Sequence, residues 1–127
     1  MKTNKSITIL YVDDEEINLF LFDKYFSGLW NIFTASSGSK GLEILEKHPE
    51  INFIFSDMNM PVMNGLEFIR QVKLDFPSIP CSIISGYSFS LEMDNAINEN
   101  LIKGFLQKPY TNKDIIDHVE KVLNFSL

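Results

Sequence analysis

Apolar positions along this chain follow two rhythms. Short continuous runs, ITILYV (7–12), NIFTA (31–35), INFIFS (51–56), PCSII (80–84) and GFLQ (104–107), predict five strands, several apolar on both faces. The segments between them carry apolar residues at helical spacing. Glu15 to about Ser27 predicts a helix with Ile17, Phe20, Leu21 and Tyr25 on its buried face, capped from Asp14. Gly38 to Lys47 predicts a short helix capped from Ser36 or Ser37 and ended near Pro49. Gly65 to Phe76 predicts a third, bearing Leu66, Ile69 and Val72. Phe89, Met93, Ala96, Ile97 and Leu101 space out a fourth. The last helix buries Ile115, Ile116, Val119, Val122 and Leu123, and Thr111 with Asp114 resembles a capping box at its start.

The pattern is strand–helix repeated five times. Strands joined by crossover helices run parallel, because each helix returns the chain to the same edge direction. Near-continuous apolar strands fit a sheet covered on both faces. The fold class is therefore α/β, a five-stranded parallel sheet doubly wound as (βα)5.

Composition narrows the function classes. The chain has 127 residues, suiting one domain over residues 1–127, and 45% of them are hydrophobic. No apolar run approaches the ~20 residues of a membrane span. The opening MKTNKSITILYVDDEE ends its apolar stretch in four acids, where a signal peptide would place small residues. The expected setting is cytoplasmic, with no membrane partner. A net charge of −6 without a Lys/Arg cluster argues against direct nucleic-acid binding. The single cysteine, Cys81, reads as a small buried hydrophobe in IPCSII.

Chemistry enters at the strand ends. In an open parallel sheet, ligands bind outside the carboxyl ends of the strands. The first run ends in Asp13 and Asp14, the third in Asp57, the fourth in Ser85 and the fifth in Lys108. These ends converge on one edge of the sheet. Closely packed carboxylates repel one another, and a divalent cation relieves that repulsion. Oxygen-only ligands point to Mg2+ or Mn2+ rather than zinc. A carboxylate can also attack phosphorus and form an aspartyl phosphate. Lys108 and the Ser85 hydroxyl could then share the charge of the phosphoryl oxygens.

The segments LYVDDEEIN, FSDMNMPVMNG, SIISGY and FLQKPY, in that order, resemble the receiver domains of bacterial response regulators over essentially the whole chain. The resemblance implies the strand order 2-1-3-4-5. It implies Asp57 as phosphoacceptor and Asp14 as the direct metal-binding acid. It implies Asp13 as an assisting acid acting through water, and the Asn59 backbone carbonyl as a further metal ligand. Lys108 matches the lysine that pairs with the acids and then with the phosphoryl group. Ser85 matches the hydroxyl that turns toward it. Phe105 matches the switch aromatic, and Pro109 the proline joined by a cis bond. The implied donor is a sensor histidine kinase or a histidine phosphotransfer domain. The implied output is a changed face on the fourth helix, fifth strand and fifth helix, open to a homodimer partner. The chain departs from the common pattern at Gly86, where Ala is frequent. Phe105 can pack but, unlike Tyr, cannot hydrogen-bond. Asn59 and Tyr87 flank the site and are expected to tune loss of the phosphoryl group.

Other residues have plainer readings. His48 and His118 lie on helices away from the strand-end edge and are expected to be solvated. Met58, Met60 and Met63 read as packing. Phe22, Phe26, Leu29 and Trp30 are either an aromatic core margin or a docking patch. Rival functions are a phosphorylation-independent adaptor on the same fold and a flavodoxin-like electron carrier. The carrier would need a Ser/Thr/Gly-rich phosphate loop where DDEEIN stands. A haloacid-dehalogenase-type phosphatase would need a second Asp where Asn59 stands.

Overall fold

The computed structural model describes residues 6–86 and 90–123. Five strands alternate with five helices: β1 (Thr8–Val12), α1 (Glu16–Phe26), β2 (Asn31–Ala35), α2 (Gly38–Lys47), β3 (Phe53–Asp57), α3 (Gly65–Asp75), β4 (Cys81–Ser85), α4 (Leu91–Asn98), β5 (Phe105–Gln107) and α5 (Asn112–Leu123). The strands form one parallel sheet in the order β2-β1-β3-β4-β5. This is the expected flavodoxin-like order, with β1 and β3 central.

Period-two alternation divides the core between the two faces of the sheet. Leu10, Val12, Ile54 and Ile83 point to one face and pack with Leu45, Phe68, Ile69, Val72, Met93 and Ala96. Ile9, Tyr11, Phe53, Phe55 and Ile84 point to the other and pack with Phe22, Phe26, Trp30, Ile115 and Val119. Cys81 is buried, as expected, with its thiol 3.4 Å from the Ile79 carbonyl oxygen.

The helix ends follow local chemistry. Ser37 caps α2 by accepting from the Lys40 N–H. Thr111 and Asp114 form the reciprocal pair at the start of α5. Asn64 and Glu67 make a full capping box on α3. α4 ends before Leu101, with Asn100 in the left-handed region at φ 61°. Phe89, expected on this helix, lies outside the described residues.

Three expectations need correction. α1 turns a different face inward: Phe22 and Phe26 are fully buried, whereas Ile17, Phe20 and Tyr25 are 60%, 59% and 49% exposed. The helix carries apolar side chains around most of its circumference, so two stripes compete. The stripe that wins joins an aromatic stack, with Tyr11 on Phe22 at 4.4 Å and Phe26 on Trp30 at 5.4 Å between ring centroids. Both stripes carry rings, but only Phe22 and Phe26 meet partner rings, from Tyr11, Phe55 and Trp30, against which to bury them. Phe22, Phe26 and Trp30 are thus core.

The cap of α1 also differs. Glu15 is its N-cap residue, without a side-chain cap. Instead of Asp14, Asp13 reaches this end, where its Oδ1 accepts the Glu15 N–H at 3.0 Å.

His118 is half-buried rather than solvated. Its ring lies 5.8 Å from Phe53 and 6.0 Å from Phe55, and its Nε2 is 2.8 Å from the Ser82 hydroxyl. Gly104 makes the room: a Cβ there would sit 2.6 Å from a ring carbon of His118. His48 keeps a half-exposed place, stacked on Phe33 at 4.3 Å and 3.2 Å from Glu50.

Candidate functional site

The site lies at the carboxyl edge of the sheet. Asp13 follows β1, Asp57 ends β3, Ser85 ends β4 and Lys108 follows β5. Parallel register carries each to the same edge: Val12 pairs with Ser56, Asp57 with Ile84, and Ser85 with Gln107. Carboxylate oxygens of Asp13, Asp14 and Asp57 lie within 4.8 Å of one another. Asp13 and Asp57 are buried, while Asp14 is exposed at the mouth.

Lys108 bridges the two buried acids. Its ammonium donates to Asp13 Oδ2 at 3.1 Å and to Asp57 Oδ1 at 3.2 Å. The Lys108–Pro109 bond is cis. The Lys108 N–H donates to the Ser85 carbonyl at 2.7 Å, tying the ends of β4 and β5 together. Ser85 is fully buried. Phe105 is half-buried and packs on the core face below α3 and α4. Gly86 and Asn59 are exposed, and Tyr87 lies outside the described residues.

Burial pushes the Asp57 carboxyl above its ordinary range. The Lys108 ammonium opposes that shift, the Asp13 charge adds to it, and the Asn59 backbone N–H partly relieves it. Burial alone would lower Lys108, but the facing Asp13 and Asp57 charges outweigh it and hold the ammonium above its usual value. The site is thus a crowded set of carboxylates with one shared cation. Such a set suits a hard divalent cation, because its donors are carboxylate oxygens within reach of one another and no softer donor is present among them.

Sequence reasoning missed three contributors. Tyr11 donates its phenol to Asp13 Oδ2 at 2.5 Å, and the Asn18 amide donates to the same oxygen at 3.1 Å. Tyr11 stands two residues before Asp13, so both share a face of β1; that spacing was visible, but a strand tyrosine reads first as core. Gly65 lets the loop after β3 pass close to the site: a Cβ there would lie 2.3 Å from the Asp57 carbonyl oxygen. Its N–H donates to the Met58 carbonyl at 2.8 Å.

Residues 9–120 match the family model described as the response regulator receiver domain. The chain belongs to that family. This receiver domain is 29% identical over 121 residues to the hydrogenase transcriptional regulatory protein HoxA of Cupriavidus necator, covering 95% of this chain and 25% of that protein. It is 36% identical over 109 residues to the autoinducer 1 sensor kinase/phosphatase LuxN of Vibrio campbellii, covering 85% of this chain and 12% of that protein. Against the response regulator protein VraR of Staphylococcus saprophyticus the identity is 28%, covering 93% and 57%. The receiver therefore spans only part of each of these longer relatives.

Among solved structures, a response regulator receiver domain protein from Clostridium thermocellum superposes with a TM-score of 0.81 at 28% identity, covering 93% of this chain and 94% of that one. The chemotaxis protein CheY4 of Vibrio cholerae, at 24% identity and a TM-score of 0.83, shares the fold over 91% of this chain and 98% of its own. Among the described residues, no helix is long and apolar enough to cross a membrane.

Proposed function

We propose that this receiver domain, taken as one unit over residues 1–127, is a phosphoryl-accepting switch of a two-component or phosphorelay system. The donor on this reading is a phosphohistidine of a cytoplasmic sensor histidine kinase or histidine phosphotransfer domain. The observation that carries the reading is the bridging of Asp57 and Asp13 by Lys108 within a cluster of three carboxylates.

Asp57 is the nucleophile. One of its oxygens forms the new O–P bond as the donor's N–P bond breaks, and the imidazole leaves with the electron pair and takes up a proton. Asp14, Asp57 and the Asn59 backbone carbonyl would hold Mg2+ or Mn2+, with Asp13 assisting through water. Bound there, the cation supplies charge stabilisation of the phosphoryl oxygens. Lys108 turns from the carboxylates to a phosphoryl oxygen, keeping its positive charge at the site throughout. Ser85 donates its hydroxyl to another oxygen. Phe105 then repacks, and the surface of α4, β5 and α5 changes for a partner, a second copy of the chain included. Such a switch works when phosphorylation favours the active form by a few kcal/mol.

Incubation with acetyl phosphate and MgCl2 tests this. The wild-type chain is expected to gain an acid-labile phosphoryl group that Asp57→Asn lacks. Labelling of Asp57→Asn at the wild-type level overturns the assignment. A wild-type chain that neither labels nor binds Mg2+ is instead a phosphorylation-independent adaptor.

A further inference from the structure

Asp13 is unusually well supplied with donors. Its Oδ2 accepts from the Tyr11 phenol at 2.5 Å, the Asn18 amide at 3.1 Å and the Lys108 ammonium at 3.1 Å. Its Oδ1 accepts the Glu15 N–H at 3.0 Å. A carboxylate has about four acceptor positions, so Asp13 is close to saturated by protein groups. Asp14 accepts no hydrogen bond from the described residues, and Asp57 accepts from the same lysine and from the Asn59 backbone N–H. The three acids are therefore unequal: Asp13 is held most fully, and Asp14 and Asp57 keep more acceptor positions for a cation.

The hydroxyl that does the most to hold Asp13 is fixed from outside the site. Tyr11 is buried near the carboxyl end of β1, and its ring stacks on Phe22 at an interplanar angle of 24°. Phe22 in turn packs on Phe26 and Phe55. The aromatic core beneath α1 thus sets where the phenol points, and Asp13 adapts to it. A hydroxyl-to-carboxylate bond of this length is of the strong, charge-assisted kind.

We infer that Tyr11 is a positioning residue of the phosphoryl-transfer site: its hydroxyl neutralises part of the Asp13 charge, which loosens the grip of Asp13 on Lys108 and leaves Asp14 and Asp57 as the acids that face the cation. Three donors on one oxygen share its charge, so each is bound less tightly than it would be alone. Lys108 must leave Asp13 when a phosphoryl group arrives on Asp57. Removing the phenol would strengthen the Asp13–Lys108 pair and oppose that step. It would also leave Asp13 with more uncompensated charge, which draws a divalent cation more strongly. The inference rests on the reading of Asp57 as phosphoacceptor, but its cation arm does not depend on transfer.

The test is Tyr11→Phe, which keeps the stacked ring and removes only the hydroxyl. Titration with MgCl2 alone, followed by calorimetry, is expected to give a Kd about three- to tenfold tighter than wild type, the size of one ordinary hydrogen bond, because Asn18 and Lys108 still share the same oxygen. The rate of acetyl phosphate labelling at saturating Mg2+ is expected to fall by a similar factor. A variant that only loosened the fold would not tighten cation binding while slowing transfer. Unchanged or weaker Mg2+ binding, or labelling at the wild-type rate beside a labelled wild type, overturns the inference. If wild type itself is not labelled, the phosphoacceptor reading has failed, and the Mg2+ titration alone decides the role of Tyr11. Should Tyr11→Phe not fold, Asn18→Ala removes a second donor from the same oxygen and is expected to shift Mg2+ binding in the same direction, with no tightening counting against the inference.

Discussion

The ammonium of Lys108 sits 3.2 Å from Asp57 Oδ1, at the end of a strand two places away in the sheet. This ion pair does not fully compensate Asp57, whose carboxyl is pushed up by burial and by Asp13 despite the lysine. A carboxyl raised in the folded state binds protons more readily there than in the unfolded chain, whose value is 3.8. Stability contributed by this group is therefore greatest in acid and falls as pH rises from the unfolded value through the folded one. Asp57→Asn, which carries no charge to bury, is expected to raise stability at pH 7. Urea denaturation at pH 7 checks it, and a less stable variant contradicts it.

Lys108→Ala leaves Asp13 and Asp57 facing each other without their shared cation. The lysine side chain is 26% exposed, so solvent softens the loss. A destabilisation of about 1–3 kcal/mol at pH 7 is expected, partly restored by millimolar MgCl2. Thermal melts with and without the salt measure both effects. In wild type the raised lysine contributes stability that is complete below 10.5 and is lost as pH climbs through its folded value.

Gly65→Ala places a methyl group against the Asp57 carbonyl oxygen and 2.9 Å from the Ile83 side chain. Backbone cannot yield there as a flexible side chain would. The variant is expected to lose about 2 kcal/mol or more, and to shift the amide resonances of Asp57 and Met58 most. A fully stable variant with unmoved resonances contradicts this account of the loop.

Val62 is fully exposed and holds φ at 69°, a region that a β-branched residue occupies only at a cost. Val62→Asn is expected to stabilise the fold by about 1 kcal/mol, because Asn tolerates this conformation. The loop joins β3 to α3 beside Asp57, so labelling kinetics of this variant also report whether the strained geometry matters to the site.

Burial lowers His118, with the Lys121 charge adding to the effect. The unfolded chain then takes up a proton first, and stability present above 6.5 is lost as pH falls through the lower folded value. His118→Gln is expected to flatten the stability profile between about pH 7 and 5. An equal slope in both proteins removes the histidine as its cause.

The strands were legible because each apolar run is short, nearly continuous and followed by a helical rhythm; their order came from the family resemblance, since periodicity says which segments are strands but not which are neighbours. The strand-end polar residues were legible for the same reason: a single polar side chain closing an apolar run has few other places to go. The inward face of α1 was not. Ile17, Phe20, Leu21 and Tyr25 have helical spacing as good as Leu19, Phe22 and Phe26. The choice depends on Tyr11 and Trp30, which meet the helix only after folding. His118 escaped for a related reason. Its niche is made by the missing side chain of Gly104 and by Ser82 on another strand, neither of them near it in the sequence.

The 2.7 Å bond from the Lys108 amide to the Ser85 carbonyl limits what kind of movement the sheet edge permits. The main chains that carry the hydroxyl and the ammonium are sewn to each other, so neither strand end can advance on Asp57 without the other. Reorganisation around Asp57 then falls first to torsions beyond the two α-carbons, and a backbone displacement of one strand end carries the other with it.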